Sequence, residues 1–214
     1  MAQIAVPDID EHVLRLFDMV TAGLTAATTA FLDGDRAMAR ALIAGDQSID
    51  SLQDVTEELL YAELDRALTH HDDGEVRSLV AALQIVPELE RSGDLVEHIA
   101  LRTQQGLAAE ISPLARALIG QMGRIGAEMW RAAAIAYADR DGTAADALRQ
   151  RDDELDDLHV QLSVELAASG TSVPVAIEMG LVARFYERLG DHAVNVARRV
   201  SRLITSLDAA NQAG

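Results

Sequence analysis

The chain contains two copies of one short acidic segment, Glu90-Arg91-Ser92-Gly93-Asp94 and Glu187-Arg188-Leu189-Gly190-Asp191. The copies lie 97 residues apart in a chain of 214 residues. An apolar residue and an alanine follow each copy at the same distance, as Ile99-Ala100 and Val196-Ala197. Self-similarity at a long fixed spacing is typical of a duplicated structural unit. The pattern therefore predicts a fold built from two equivalent halves.

A second repeated segment lies upstream of each copy, with a larger spacing. Asp46-x-x-x-Asp50-x-Leu52 matches Asp152-x-x-x-Asp156-x-Leu158 at an offset of 106 residues. The change of offset, from 106 to 97, places a difference in length between the second and third helices of each half. We expect two tandem three-helix bundles, residues 1–108 and 109–214, related by an internal pseudo-two-fold symmetry.

The composition and the spacing of apolar residues are typical of helices along the whole chain, which predicts an all-α protein. Ala and Leu dominate, there are four Pro, and apolar residues recur every three or four positions. Turn and capping signals, such as Gly34 and Ser112-Pro113, divide the chain into six helices. They cover about residues 8–32, 35–69, 75–105 and 113–141, a fifth helix that ends at Gly170, and 174–207. The acidic stretch Asp72-Asp73-Gly74 is expected to be a turn, and the one Trp, Trp130, to lie in the core.

Composition excludes several classes of function. The chain has 18 basic and 35 acidic residues, a net charge of −17, which disfavours binding to nucleic acid or to anionic lipid. The absence of Cys excludes disulfides, thiolate metal sites and Cys nucleophiles. No signal peptide is visible at the start, and no apolar run is long enough for membrane insertion, so we expect a cytoplasmic protein. All of the basic residues are Arg, which is typical of a high-GC bacterium such as an actinobacterium.

The repeated segments carry four pairs of carboxylates, each pair four residues apart. This spacing puts both members of a pair on one helical face, where their charges repel each other. A cation held between two such helices would reverse that repulsion, and carboxylate oxygens suit Mg²⁺, Mn²⁺, Ca²⁺ or iron. Acidic residues are so frequent here that pairs arise by chance, but their matched positions in both halves favour metal binding. The candidate ligands are Asp46, Asp50, Glu90 and Asp94 in the first half and Asp152, Asp156, Glu187 and Asp191 in the second.

Two alternatives compete with that interpretation. The acids of a plain interaction module would only keep it soluble. A carboxylate-bridged iron oxidase or iron-storage bundle is suggested by Asp156-x-x-His159, although the corresponding histidine of the first half, His98, follows Asp94 at four residues rather than three. The sequence contains no nucleophile–base arrangement and no phosphate-binding loop, so we expect no enzyme activity.

The paired segments resemble those of the PhoU family of phosphate-signalling regulators. The second copy, Tyr186 to Ala197, is the more similar, and the resemblance covers nearly the whole chain in length, repeat number and motif order. It implies two three-helix bundles side by side. It also implies multinuclear clusters of divalent or trivalent metal ions, such as iron, zinc, manganese or magnesium, one on each set of four carboxylates. His98 and Asn195, one turn beyond Asp94 and Asp191, would extend the ligand shells.

The same resemblance implies a regulatory role rather than a catalytic one. Members of the family are adaptors between the phosphate ABC transporter and a sensor histidine kinase, and they repress the phosphate-starvation response when phosphate is ample. The partners implied are the ATPase subunit of the transporter and the PAS-containing region of the kinase. Homodimerisation is compatible with this role.

Overall fold

The computed structural model describes residues 6–213 and the side chains of residues 9–209. Over this range the backbone forms six α-helices and one 3₁₀ turn, without a strand. No helix in this range is long and apolar enough to cross a membrane. The all-α prediction is confirmed. The helices are α1 (Val6–Asp33), α2 (Arg36–His70), α3 (Asp73–Thr103), α4 (Pro113–Ala138), α5 (Ala144–Ala168) and α6 (Val173–Ala213), with the 3₁₀ turn at Leu107–Ala109.

Local side-chain chemistry sets several of the helix ends. The Asp35 carboxylate accepts hydrogen bonds from the backbone N–H groups of Ala37 (2.9 Å) and Met38 (3.0 Å) and so caps α2. Ser112 caps α4 in the same way through the N–H of Ala115 (3.1 Å), and Pro113 follows it at the first helical position. These caps satisfy N–H groups that have no partner within the helix, which is why the helices begin where the sequence predicts.

Three predicted boundaries are wrong, one of them the end of α4, which lies at Ala138 rather than near residue 141. The chain reverses at His71, which has a left-handed backbone (φ 57°), and Asp72 then caps α3 by accepting from the N–H of Glu75 at 2.9 Å. Asp73 and Gly74 therefore belong to α3 rather than to a turn. Helix α6 continues to Ala213, beyond the end expected near residue 207. The cap at Asp72 starts α3 before its first apolar residue, and an Ala-rich stretch continues α6 past Leu207.

The six helices share one continuous hydrophobic core. Within each half the three helices pack on one another, and across the halves α1 packs on α4 and α3 on α6. Helices α1, α3, α4 and α6 thus form the centre, with α2 and α5 on the outside. Trp130 is fully buried, as predicted, with its ring centroid 6.0 Å from that of Phe17.

Three glycines on α4, Gly120, Gly123 and Gly126, let α1 approach closely. A Cβ atom on Gly123 would lie 2.4 Å from the hydroxyl oxygen of Thr28, and one on Gly126 would lie 3.1 Å from Leu24 Cδ2. The Thr28 hydroxyl also lies 2.9 Å from the hydroxyl of Tyr186 on α6. The glycine series, which by sequence alone marks either close contact or flexibility, marks close contact between the two halves.

Candidate metal centre

The first acidic cluster lies where α2 crosses α3. A Cβ atom on Gly93 would come within 2.9 Å of Ile49 Cδ1 and 3.5 Å of Asp46 Oδ1. The glycine of the repeated segment is therefore the point of closest approach between the two helices. Because Glu90 and Asp94 flank that glycine on α3, the crossing brings them toward Asp46 and Asp50 on α2.

The second cluster has the same construction where α5 crosses α6. A Cβ atom on Gly190 would lie 2.5 Å from Asp152 Oδ1 and 2.7 Å from Leu155 Cδ1. Asp152 and Leu155 are the counterparts of Asp46 and Ile49, and Gly190 is the counterpart of Gly93. The two crossings are equivalent, and each places its four carboxylates near enough for their charges to act on one another.

Burial and mutual repulsion perturb the first cluster. Partial burial, and then the charges of Glu97, Asp50, Asp94 and Glu90, raise the pKa of Asp46 to about 6. Burial followed by the charges of Asp94 and Asp50 also raises the pKa of Glu90. Within residues 9–209 none of these carboxylates forms an ion pair with Arg or His. The first cluster thus concentrates negative charge, which the nearby Arg91 offsets in part at Glu90 without forming an ion pair with it.

The second cluster is partly compensated by cations. Burial, and then the charges of Asp191 and Asp156, raise the pKa of Asp152 to about 6. Burial alone would also raise the pKa of Glu187, but hydrogen bonds from Arg184 and His159 lower it below its ordinary value. The Nδ1 atom of His159 lies 2.8 Å from Glu187 Oε2. One of the four predicted ligands of this cluster is therefore already engaged by neighbouring side chains.

One oxygen atom of the second cluster lacks any partner. Asp152 Oδ1 is buried and forms no hydrogen bond with the described residues. A buried carboxylate oxygen in this state is unfavourable unless a cation or a donor meets it. Nonetheless, no three His, Asp or Glu side chains in the described part of the chain already form a ligand set for one ion. A metal bound here would require the carboxylates to turn toward a shared position.

The two residues expected to extend the ligand shells make contacts away from the acidic crossings, and His98 Nδ1 is buried without a hydrogen-bond partner among the described residues. The ring of His98 packs on Phe185 of α6, with the ring centroids 5.3 Å apart. The side-chain oxygen of Asn195 accepts a long hydrogen bond (3.5 Å) from Arg198. Neither contact directs these side chains to the acidic crossings, so the four carboxylates of each half are the main candidate ligands.

A buried polar network between α3 and α6 was not predicted from the sequence. The Ser92 hydroxyl lies 3.0 Å from His192 Nδ1, and Glu88, which is 6% exposed, accepts a hydrogen bond of 2.8 Å from Arg199. The repeat contained a signal for this network. At the offset of 97 residues, Ser92 corresponds to Leu189 and Leu95 to His192, so each polar residue replaces a leucine of the other half. This network links α3 of the first half to α6 of the second half, next to the second cluster.

The comparisons with known proteins agree with this architecture. Two stretches of the chain, residues 13–103 and 119–200, match the family model described as PhoU domain. The "Phosphate-specific transport system accessory protein PhoU homolog 2" of Mycobacterium tuberculosis is 31% identical over 200 residues, 90% of this chain and 91% of that relative. Its "PhoU homolog 1" is 34% identical over 184 residues, 85% and 82% of the two chains. The crystal structure of PhoU from Pseudomonas aeruginosa superposes with a TM-score of 0.83 at 25% identity, covering 94% of this chain and 97% of that one.

Proposed function

The chain belongs to the PhoU family, and from that premise we propose that it is a metal-binding, non-catalytic regulator of phosphate homeostasis. The observation that supports metal binding is the duplicated helix crossing, with four carboxylates at each and pKa values near 6 for Asp46 and Asp152. Both crossings keep the same acids at the same places although their surroundings differ. A requirement common to both halves, such as binding a cation, accounts for that.

The donor set fits a hard cation. Each crossing offers only carboxylate oxygens, and the buried, unpartnered Asp152 Oδ1 is an atom that a cation would satisfy. Asp46, Asp50, Glu90 and Asp94 would hold metal in the first half, and Asp152, Asp156, Glu187 and Asp191 in the second. A divalent or trivalent ion such as iron, zinc, manganese or magnesium would supply positive charge. The carboxylates, once neutralised, would hold α2 against α3 and α5 against α6 at fixed angles, so a chelator should lower the midpoint of thermal unfolding.

The regulatory part of the proposal rests on the relatives. The mycobacterial proteins are named accessory proteins of the phosphate-specific transport system, not enzymes. We propose that this chain acts in the cytoplasm as an adaptor between the ATPase subunit of the phosphate transporter and a sensor histidine kinase. Its net charge of −17 suits partner surfaces that are rich in Lys and Arg. Oxidation of Fe²⁺ in air by the purified chain would contradict the non-catalytic role and favour an iron enzyme or store.

Metal content after dialysis tests the proposed ligands. We expect the wild-type chain to retain metal and the variant Asp94→Ala/Asp191→Ala to lose most of it, because each substitution removes one ligand from a cluster. The matched control Asp18→Ala/Asp139→Ala removes two exposed carboxylates outside the clusters and should retain wild-type metal. Equal metal content in all three proteins would contradict the site assignment.

Gene deletion tests the regulatory role. We expect a strain without this gene to express its phosphate-starvation genes in phosphate-rich medium, and the wild-type gene to restore repression. The Asp94→Ala/Asp191→Ala gene should restore it poorly if bound metal fixes the surface that partners recognise. Normal repression in a deletion strain that carries no second copy of the gene would contradict the adaptor role.

A further inference from the structure

A small cavity separates α1 from α2 in the first half and reaches α3. Its volume is about 290 Å³, and its walls are mostly apolar. The small residues Gly23 and Ala26 of α1 and Gly45 of α2 leave the space open, and Ile49 forms part of its floor. A Cβ atom on Gly45 would meet nothing within 4 Å. Since Gly45 is exposed, the cavity is a groove that opens to the surface between α1 and α2.

The second half has a corresponding groove of about 370 Å³ between α4 and α5, but its side chains differ. At the offset of 106 residues, Gly23 corresponds to Met129 and Gly45 to Arg151. Met129 is 1% exposed, and its terminal methyl lies 3.5 Å from where a Cβ on Gly190 would be. Arg151 is bound to Glu154 at 2.7 Å. The nearest cavity of that half is lined by Met129 and Arg151 but not by Asp152. Of these two grooves, the one in the first half reaches a carboxylate and the glycine of an acidic crossing, and the one in the second half does not.

Two carboxylates, Asp46 and Glu97, line the cavity of the first half, and no Arg or His does. Glu97 has no acidic counterpart in the second half, where Val194 takes its place. Asp46 and Glu97 line the same cavity, and after burial the charge of Glu97 is the main cause that raises the pKa of Asp46. The cavity thus joins an apolar body to a pair of unpaired negative charges.

We propose that this cavity binds a small organic cation, a primary alkylammonium ion with an apolar chain of about six carbons. The chain would occupy the apolar space between α1 and α2, and the ammonium group would lie between Asp46 and Glu97, donating hydrogen bonds to both. A cavity of about 150 Å³ already holds benzene in a protein core, so 290 Å³ is sufficient for such a chain. The site shares Asp46 with the proposed metal site and adds Glu97 and the apolar groove beside Gly45.

Calorimetric titration of the 214-residue chain with n-hexylammonium chloride tests the site. The buffer contains chelator and constant salt, so that neither metal nor ionic strength affects the result. We expect saturable binding of one ion per chain, at least tenfold tighter than hexanol, with no detectable binding of hexanoate. Affinity should rise about fourfold per methylene from propyl- to hexylammonium, because each buried methylene adds a similar hydrophobic gain.

Substitution of Gly45 separates loss of the site from loss of the fold. Gly45→Leu fills the cavity and replaces a helical glycine by a better helix former, so binding should fall at least tenfold while thermal stability does not fall. Gly180 is the matched control, because a Cβ atom there also meets nothing within 4 Å, within α6. Gly180→Leu should bind hexylammonium as the wild type does. Gly23→Met, which copies the second half, should also weaken binding.

Three results would overturn the proposal. They are the absence of saturable binding, equal affinity for hexanol and hexylammonium, and undiminished binding by both Gly45→Leu and Gly23→Met. The last of these would show that the ammonium ion is attracted only by the general negative charge of the surface. These outcomes do not depend on whether the acidic crossings bind metal, because the titration is made with chelator present.

Discussion

The two acidic clusters occupy equivalent helix crossings but differ in charge. In the second half, Arg184 and His159 bind Glu187 and lower its pKa. The corresponding positions of the first half are Pro87 and Gln53, which carry no charge, and the pKa of Glu90 is raised instead.

This difference shows which features the duplication has kept. The crossing itself, with a glycine on one helix and an aspartate against it on the other, is the same in both halves. The residues around it have diverged, so that the first cluster is more negative than the second. Because Coulombic attraction grows with local charge, we expect the first cluster to hold a cation more tightly.

The largest difference in stability between the two halves should come from adding a methyl group to the glycine at each crossing. Gly190→Ala places Cβ 2.5 Å from Asp152 Oδ1 and 2.7 Å from Leu155, whereas Gly93→Ala places it 2.9 Å from Ile49. We expect urea unfolding to show a loss of roughly 2–3 kcal/mol for Gly190→Ala and about 1 kcal/mol for Gly93→Ala, typical of overpacking.

Gly45→Ala is the control for this pair, since its Cβ has free space. It should increase the free energy of unfolding by up to about 1 kcal/mol through helix propensity alone. If Gly190→Ala also increases the free energy of unfolding, α5 and α6 do not cross as closely as described.

A change of stability of intermediate size is expected when the pH is lowered. The pKa values of Asp46 and Asp152 are about 6 in the folded chain, above the ordinary carboxylate value of 3.8, so the folded state binds more protons than the unfolded state between these values. Stability should therefore rise as the pH falls from 7.5 to 5. Both side chains are partly exposed and solvent screens their charges, so the gain is roughly 1–2 kcal/mol for the pair.

The double variant Asp46→Asn/Asp152→Asn isolates this contribution. Burial lowers the pKa of His192, which acts in the opposite direction over the same pH range, and the variant retains that histidine. Urea unfolding of metal-free protein at pH 7.5 and pH 5 should show that the wild type gains stability relative to the variant. An equal change in both proteins would show that the two aspartates do not titrate as proposed.

The smallest change in stability should come from removing Arg184, which offsets the negative charge of Glu187 in the second cluster. Arg184→Ala frees Glu187 and makes the second cluster more like the first, so the pKa of Glu187 should rise in a carboxyl NMR titration. Because the Arg184 side chain is half exposed and Glu187 keeps its contact with His159, the loss of stability should stay below about 1 kcal/mol.

Arg149→Ala removes an arginine of similar exposure, which pairs with Asp146 three residues away on α5 but outside the cluster. It should leave the pKa of Glu187 unchanged. If Arg184→Ala leaves that pKa unchanged as well, the difference between the clusters does not depend on Arg184.

The sequence was sufficient to predict the six helices and the pairing of the acidic segments. Repetition made this possible, because two copies at matched offsets constrain each other where a single copy of Asp46-x-x-x-Asp50 would not. The division at residues 108 and 109 stays a prediction, as does metal binding by the eight carboxylates. The start of α3 and the end of α6 were missed because residues without apolar periodicity can still extend a helix.

The contacts around the clusters depend on distances between helices, which the sequence does not contain. Arg184 lies one turn from Glu187 on α6, but the engagement of Glu187 by His159 requires α5 to lie beside it. His98 was expected near the first cluster and packs on Phe185 of the other half instead. The exchange of Ser92 and His192 for leucines between the halves was visible in the sequence, although its meaning depends on the contact of α3 with α6.

A titration of metal-free protein with Mn²⁺, followed by electron paramagnetic resonance, tests the central claim most directly. The wild type should show two classes of site, the tighter lost in Asp94→Asn and the weaker lost in Asp191→Asn. Mn²⁺ binding by the Asp94→Asn/Asp191→Asn double variant that is indistinguishable from wild type would contradict the claim that the two crossings are cation sites.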